Sequence, residues 1–121
     1  MIRFFYSIRD AARGIRFVFT HEQNFRIQIV VAIIALAAAS IFRLRRSESV
    51  VIFLLILLVL LLELVNSAVE KILDVVRPRL EHQVKVAKDI MAATVLLAGF
   101  GALVIGSIIF WPHLIDIILE V

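Results

Sequence analysis

The chain has 121 residues, enough for one small domain, and 63% of them are hydrophobic, with a mean hydropathy of +1.07. Soluble domains are roughly 45–50% apolar, so this composition excludes an ordinary water-soluble fold and predicts an integral membrane protein. Cysteine is absent, which excludes a disulfide framework and a thiolate metal site; the net charge of +3 comes without a basic–aromatic module, so it points to anionic headgroups and phosphates and not to nucleic acid.

The opening residues lack the small-residue cleavage site that follows the apolar core of a secretory leader. Residues 3–19 read instead as an amphipathic surface helix. Phe4, Phe5, Ile8, Ala11, Ala12, Ile15, Val18 and Phe19 fall within an arc about 140° wide, with Arg9, Asp10, Arg13 and Arg16 opposite. Such a helix lies in the membrane interface, and Gly14 in its middle implies a close approach or a bend. The polar stretch from Thr20 to Asn24 interrupts it, and Thr20 with Gln23 three residues on predicts a capping box that starts a new helix.

The first span follows at about residues 25–42, with Arg26 placed to snorkel and Glu22 at its mouth. Arg43–Ser47 forms a turn. The second span, about residues 49–66, continues as helix to 76, where Arg77-Pro78 marks a boundary. A loop over residues 77–83 leads to a helix resuming near Val84 and to the third span, residues 88–111. Gly99 and Gly101, with Ala98 and Ala102, offer close helix contact there, Trp111 suits an outer aromatic belt, and Pro112 stops the helix. His21, His82 and His113 show no zinc spacing and are expected in solvated loops.

Ten of the cations precede the first span or lie between the second and third, and three (Arg43, Arg45 and Arg46) lie between the first and second. The positive-inside rule then puts the N-terminus in the cytoplasm and the C-terminus outside. The chemistry-bearing residues gather on that inner side. Val50–Leu62 is an uninterrupted run of thirteen apolar residues, and directly after it Glu63, Asn66, Glu70 and Asp74 fall at about 0°, −60°, −20° and +20° around the helix. The run covers roughly 20 Å of a ~30 Å hydrocarbon core, leaving Glu63 half-buried near the interface and Glu70 and Asp74 about 10 and 16 Å further out. Carboxylates on one stripe repel unless a cation or substrate balances them, and a hard, oxygen-liganded ion such as Mg²⁺ suits them.

Glu22, Lys88 and Asp89 lie at the same level, giving a membrane protein with a cytoplasmic-side carboxylate and lysine site. No Gly-rich phosphate loop and no serine–histidine pair accompanies it. The residues alone leave open a small ion-coupled transporter, in which a membrane glutamate relays protons, and a non-catalytic subunit whose polar stripe only orders the bundle.

The run from Glu63 through Asn66, Ser67 and Glu70 to Asp74 resembles the E-x-x-N-[ST]-A-x-E-x-x-x-D signature of the prokaryotic diacylglycerol kinase family. Ala87-Lys88-Asp89 is similar to the A-K-D at the start of its third span, and Ala11–Ile15 and Glu22–Arg26 resemble its surface-helix and first-span motifs. The resemblance implies a homotrimer of subunits, each with a surface helix and three transmembrane helices, in a bacterial inner membrane. It implies transfer of the γ-phosphate of MgATP to the primary hydroxyl of a lipid alcohol, with sites that draw on more than one subunit. In those terms Glu63 is the general base, and Glu22 and Glu70 hold Mg²⁺ with the ATP phosphates. Asn66 positions substrate or phosphate, and Lys88 neutralises the γ-phosphate. Asp74, Asp89, Arg3, Asp10 and Arg16 belong to the nucleotide side, although Asp10 stands where some family members have an aromatic residue. The acceptor is diacylglycerol or undecaprenol. Glu22-Gln-Asn24-Phe25 leans toward the polyprenol branch, with Gln28 in place of that branch's histidine.

Overall fold

The structure, a computed structural model, describes all 121 residues. It consists of four helices: α1 (Ile2–His21), α2 (Gln23–Ile41), α3 (Arg46–Val76) and α4 (Glu81–Glu120). Three of them, α2, α3 and α4, are long and apolar enough to cross a membrane. With 31 and 40 residues, α3 and α4 reach roughly 46 and 60 Å, so both outrun a ~30 Å hydrocarbon core.

A single residue separates α1 from α2. Glu22 has extended backbone (φ −110°, ψ 110°), donates its N–H to the Val18 carbonyl at 2.8 Å and serves as the N-cap of α2. The predicted Thr20 capping box does not form. Thr20 lies inside the last turn of α1, where its hydroxyl bonds the carbonyls of Arg16 and Phe17, both at 3.0 Å. A hydroxyl already satisfied one turn back is not free to cap forward. The exposed α1 carbonyls are closed by Arg26, whose Nη1 donates to Phe19 and Thr20 at 2.7 and 3.1 Å.

At the other end of α2, Arg43 takes φ 51°, and Leu44 and Arg43 donate backbone N–H to Ala39 and Ser40. This is a Schellman closure made by arginine where glycine is usual. The Glu48 side chain then accepts from the Arg45 N–H at 3.2 Å and secures the first turn of α3. The α3–α4 turn is shorter than the loop expected over 77–83, because α4 already begins at Glu81. An Arg77–Glu81 ion pair at 3.6 Å crosses it.

Pro112 does not stop α4, which runs on to Glu120. Proline withholds one N–H and so frees one carbonyl, a loss a membrane helix tolerates more readily than unpaired backbone along the apolar tail that follows. That tail is anchored at its first residue: His113 Nε2 lies 2.8 Å from Glu48 Oε2, beside an edge-to-face pair of Phe42 and Phe110. None of the three histidines occupies a loop. His21 closes α1 stacked on Phe17, His82 lies in the first turn of α4, and His113 is half-buried in α4.

α3 is central, packed against both α2 and α4, with α1 touching α2 and α3. Only eight residues are buried, so most apolar surface is left to face lipid or other chains. On α2 they are Phe25, Ala32 and Ala39, spaced by seven along one stripe; on α3 they are Ile52, Glu63 and Ser67. Eleven residues return a helix almost to the same face, so Glu63 projects from the packing stripe of α3. The glycines expected to bring helices together do not do so within the subunit: a Cβ at Gly14, Gly99 or Gly101 would meet nothing within 4 Å.

Candidate functional site

Where α1 ends, α2 begins, α3 ends and α4 begins, the polar residues of the bundle converge. Glu63 is only 1% exposed, more deeply covered than its place beside the predicted interface implied. The added cover comes from α2, whose Gln28 donates from Nε2 to Glu63 Oε2 at 3.3 Å. Asn66 lies beside the same carboxylate, and Glu22 and Glu70 are close enough for their charges to act on it. One end of α2 and two successive turns of α3 thus set two amides at the Glu63 carboxylate, with the charges of Glu22 and Glu70 within reach of it.

The next turn of α3 reaches α4. Lys88 Nζ lies 3.1 Å from Asp74 Oδ1, with both side chains partly exposed. Lys71 stands over the Phe17 ring at 5.1 Å and ties α1 to the same end. Asp89, although adjacent to Lys88, is exposed and has no side-chain partner. Arg3, Asp10 and Arg16 are exposed on α1; Asp10 is 4.0 Å from Arg9, and none of the three contacts the Glu63 cluster. No three His, Asp or Glu side chains converge into a complete metal-binding group.

Alongside the cluster, α2, α3 and α4 line a broadly open apolar cavity of about 700 Å³. Its walls are mostly apolar, running from Gln28 at the polar end past Ala32, Ile56 and Gly99 to Phe110. A long apolar slot with the Gln28 amide at one end, itself bonded to the buried Glu63, is shaped for an amphiphile with one polar end.

Gln28 is the residue sequence reasoning left without a site role. It is the only polar residue between Ile27 and Ala39, and an isolated amide inside an apolar span is a signal that could have found it. Ser67, one residue after Asn66, has its Oγ buried without a hydrogen-bond partner.

A model of the prokaryotic diacylglycerol kinase family matches residues 9–110, most of the chain. The chain belongs to that family. Within it, a diacylglycerol kinase of Synechocystis sp. is 33% identical over 112 residues, covering 92% of this chain and 64% of that protein. This chain therefore spans less than two thirds of that relative's length. An undecaprenol kinase of Bacillus subtilis is 35% identical over 112 residues, covering 93% of this chain and 91% of that protein. The family and the three helices of membrane length agree in placing the chain among proteins built to work at a membrane.

Proposed function

We propose that the protein transfers the γ-phosphate of ATP to the primary hydroxyl of a long-chain lipid alcohol at the cytoplasmic face of a bacterial inner membrane. The observation that carries this reading is the buried Glu63 carboxylate, bonded to Gln28 at the polar end of an apolar cavity and within reach of the Glu22 and Glu70 charges. Phosphoryl transfer asks for positioning and charge neutralisation more than for covalent chemistry, and this arrangement offers both.

The lipid hydroxyl donates its proton to Glu63 as its oxygen attacks the γ-phosphorus. The bond between that phosphorus and the β,γ-bridging oxygen breaks, ADP leaves with the electron pair, and the lipid departs as a phosphate monoester. Glu63 returns the proton to water. Lys88, held by Asp74, balances charge on the transferring group, and Asn66 orients it. Glu22 and Glu70 are carboxylates of the type a hard cation takes, and because the subunit gathers no complete metal-binding group, phosphate and water would have to complete its shell. Mg²⁺ bound in that way would neutralise the ATP phosphates. Arg3, Asp10, Arg16 and Asp89 are assigned to the nucleotide side, with α1 lying as an amphipathic helix in the interface and three subunits forming the active assembly.

The acceptor is undecaprenol, giving undecaprenyl phosphate, in the reading favoured here. The undecaprenol kinase relative is matched over nearly its full length. Diacylglycerol, giving phosphatidic acid, is the second reading, supported by the Synechocystis relative. Purified protein in mixed micelles, offered both alcohols with γ-labelled ATP, decides between them. Glu63→Gln is expected to lower labelling of the preferred alcohol by about 10²- to 10⁴-fold, the usual worth of a general base. Undiminished labelling in that variant would remove Glu63 from the chemistry.

A further inference from the structure

A carboxylate that accepts a hydroxyl proton must be aimed as well as buried, and Glu63 has two equivalent oxygens on a side chain with three rotatable bonds. The hydrogen bond that aims it comes from another helix. Gln28 lies 35 residues earlier in the chain, and its Nε2 reaches Glu63 Oε2 at 3.3 Å. The polarity of this contact is dictated by chemistry: an ionised carboxylate only accepts, so the amide must turn its N–H side to Glu63. Gln28 Oε1 is then directed elsewhere, and it is buried with no hydrogen-bond partner. Leaving an amide oxygen unsatisfied is costly, and an apolar side chain of the same length would avoid that cost. Gln28 also lines the polar end of the apolar cavity, where the reacting end of an amphiphile would lie.

We propose that Gln28 is the positioning residue of this site: it pins Glu63 through Oε2 so that Oε1 is left free to accept the proton of a lipid hydroxyl that reaches Gln28 at the cavity's polar end. The inference rests on the kinase reading above. At 3.3 Å the bond is long, as such contacts often are before substrate tightens the site. The chemistry at position 28 therefore acts on turnover through Glu63, and the alkyl part of the side chain acts only as cavity wall.

Gln28→Met keeps the length and apolar stem but cannot donate; Gln28→His restores an N–H donor. In ATP-dependent phosphorylation of undecaprenol, Gln28→Met is expected to lower kcat by about 10- to 100-fold, the worth of a hydrogen bond to a charged group, with KM for ATP unchanged. Gln28→His should recover most of that loss. In a Glu63→Gln background Gln28→Met should cost nothing further, because there is no carboxylate left to aim. Isotope-edited infrared spectra of the resting protein supply a readout independent of turnover: the Glu63 carboxylate band, identified by its loss in Glu63→Gln, should shift in Gln28→Met and return in Gln28→His. Wild-type kcat in Gln28→Met, a histidine variant no better than methionine, or full additivity with Glu63→Gln would each overturn the proposal. A normal infrared response with no phosphate transferred to any lipid alcohol by the wild type would instead defeat the kinase reading and leave the Gln28–Glu63 contact standing without a role in turnover.

Discussion

Lys88 and Asp74 illustrate how little an exposed ion pair contributes to folding and how much the same charge can contribute to chemistry. Their side chains are 32% and 52% exposed and 3.1 Å apart, a setting in which solvent screens most of the attraction. Exposed pairs of this kind are worth about 0–1 kcal/mol. Lys88→Met should therefore shift the unfolding midpoint in detergent by no more than that range allows. Its effect on phosphoryl transfer should be far larger, a loss of about 10²- to 10³-fold in kcat, because a cation aimed at developing phosphate charge works in a site partly closed to water. A variant that unfolds readily but retains kcat would reverse this assignment and make Lys88 an architectural residue. Glu63 is the opposite case. It is buried on the packing stripe of α3 among Ile52 and Ser67, at a position where an apolar residue would pack with less cost.

At the scale of the element, Arg43 closes α2 in a left-handed conformation that a residue with a Cβ adopts only at a cost of roughly 1–2 kcal/mol. Glycine would relieve this strain while adding freedom to the unfolded chain, so Arg43→Gly should stabilise the protein by about 0.5–1 kcal/mol net. Reversible unfolding in mixed micelles measures it; a destabilised glycine variant would mean that the guanidinium makes a contact worth more than the strain. The helices themselves were legible in the sequence, because three apolar runs of membrane length and a charged, periodic N-terminal segment leave few alternatives. Their ends were less so. Thr20 carries a capping signature, but a hydroxyl can equally bond one turn back, and only the path of the chain at Glu22 decides. Pro112 reads as a stop in isolation; Glu48, 65 residues away, holds the next residue in place. The site was legible as far as helical period reaches: Glu63, Asn66 and Glu70 share a stripe by arithmetic alone. Gln28 was legible only as a lone amide in an apolar span; what it bonds was not, because its partner lies on another helix and no periodicity within α2 announces it.

The whole subunit buries eight of its 121 residues, so its outer faces are finished by something other than itself. Lipid can cover Leu96, Leu97 and Ile108, each more than 60% exposed. It has less reason to cover small residues, where close helix approach gains packing that acyl chains cannot match. Ala98 and Gly101 lie three apart on α4, away from the cavity lined by Gly99, and a Cβ on Gly101 would meet nothing within the subunit. If three copies associate through this face, Gly101→Leu should leave the subunit's helix content intact, since leucine favours helix over glycine, while driving the helices apart. Native mass spectrometry from mild detergent should then give three times 13.7 kDa for the wild type and a smaller species for Gly101→Leu. Kinase activity should fall together with the trimer if the nucleotide-side residues on α1, remote from Glu63 in the single subunit, complete the site of a neighbour. A Gly101→Leu protein that stays trimeric would place the interface on another face of the bundle. One that is monomeric yet fully active would show that a single chain, with Arg3 and Arg16 left in solvent, suffices for the chemistry.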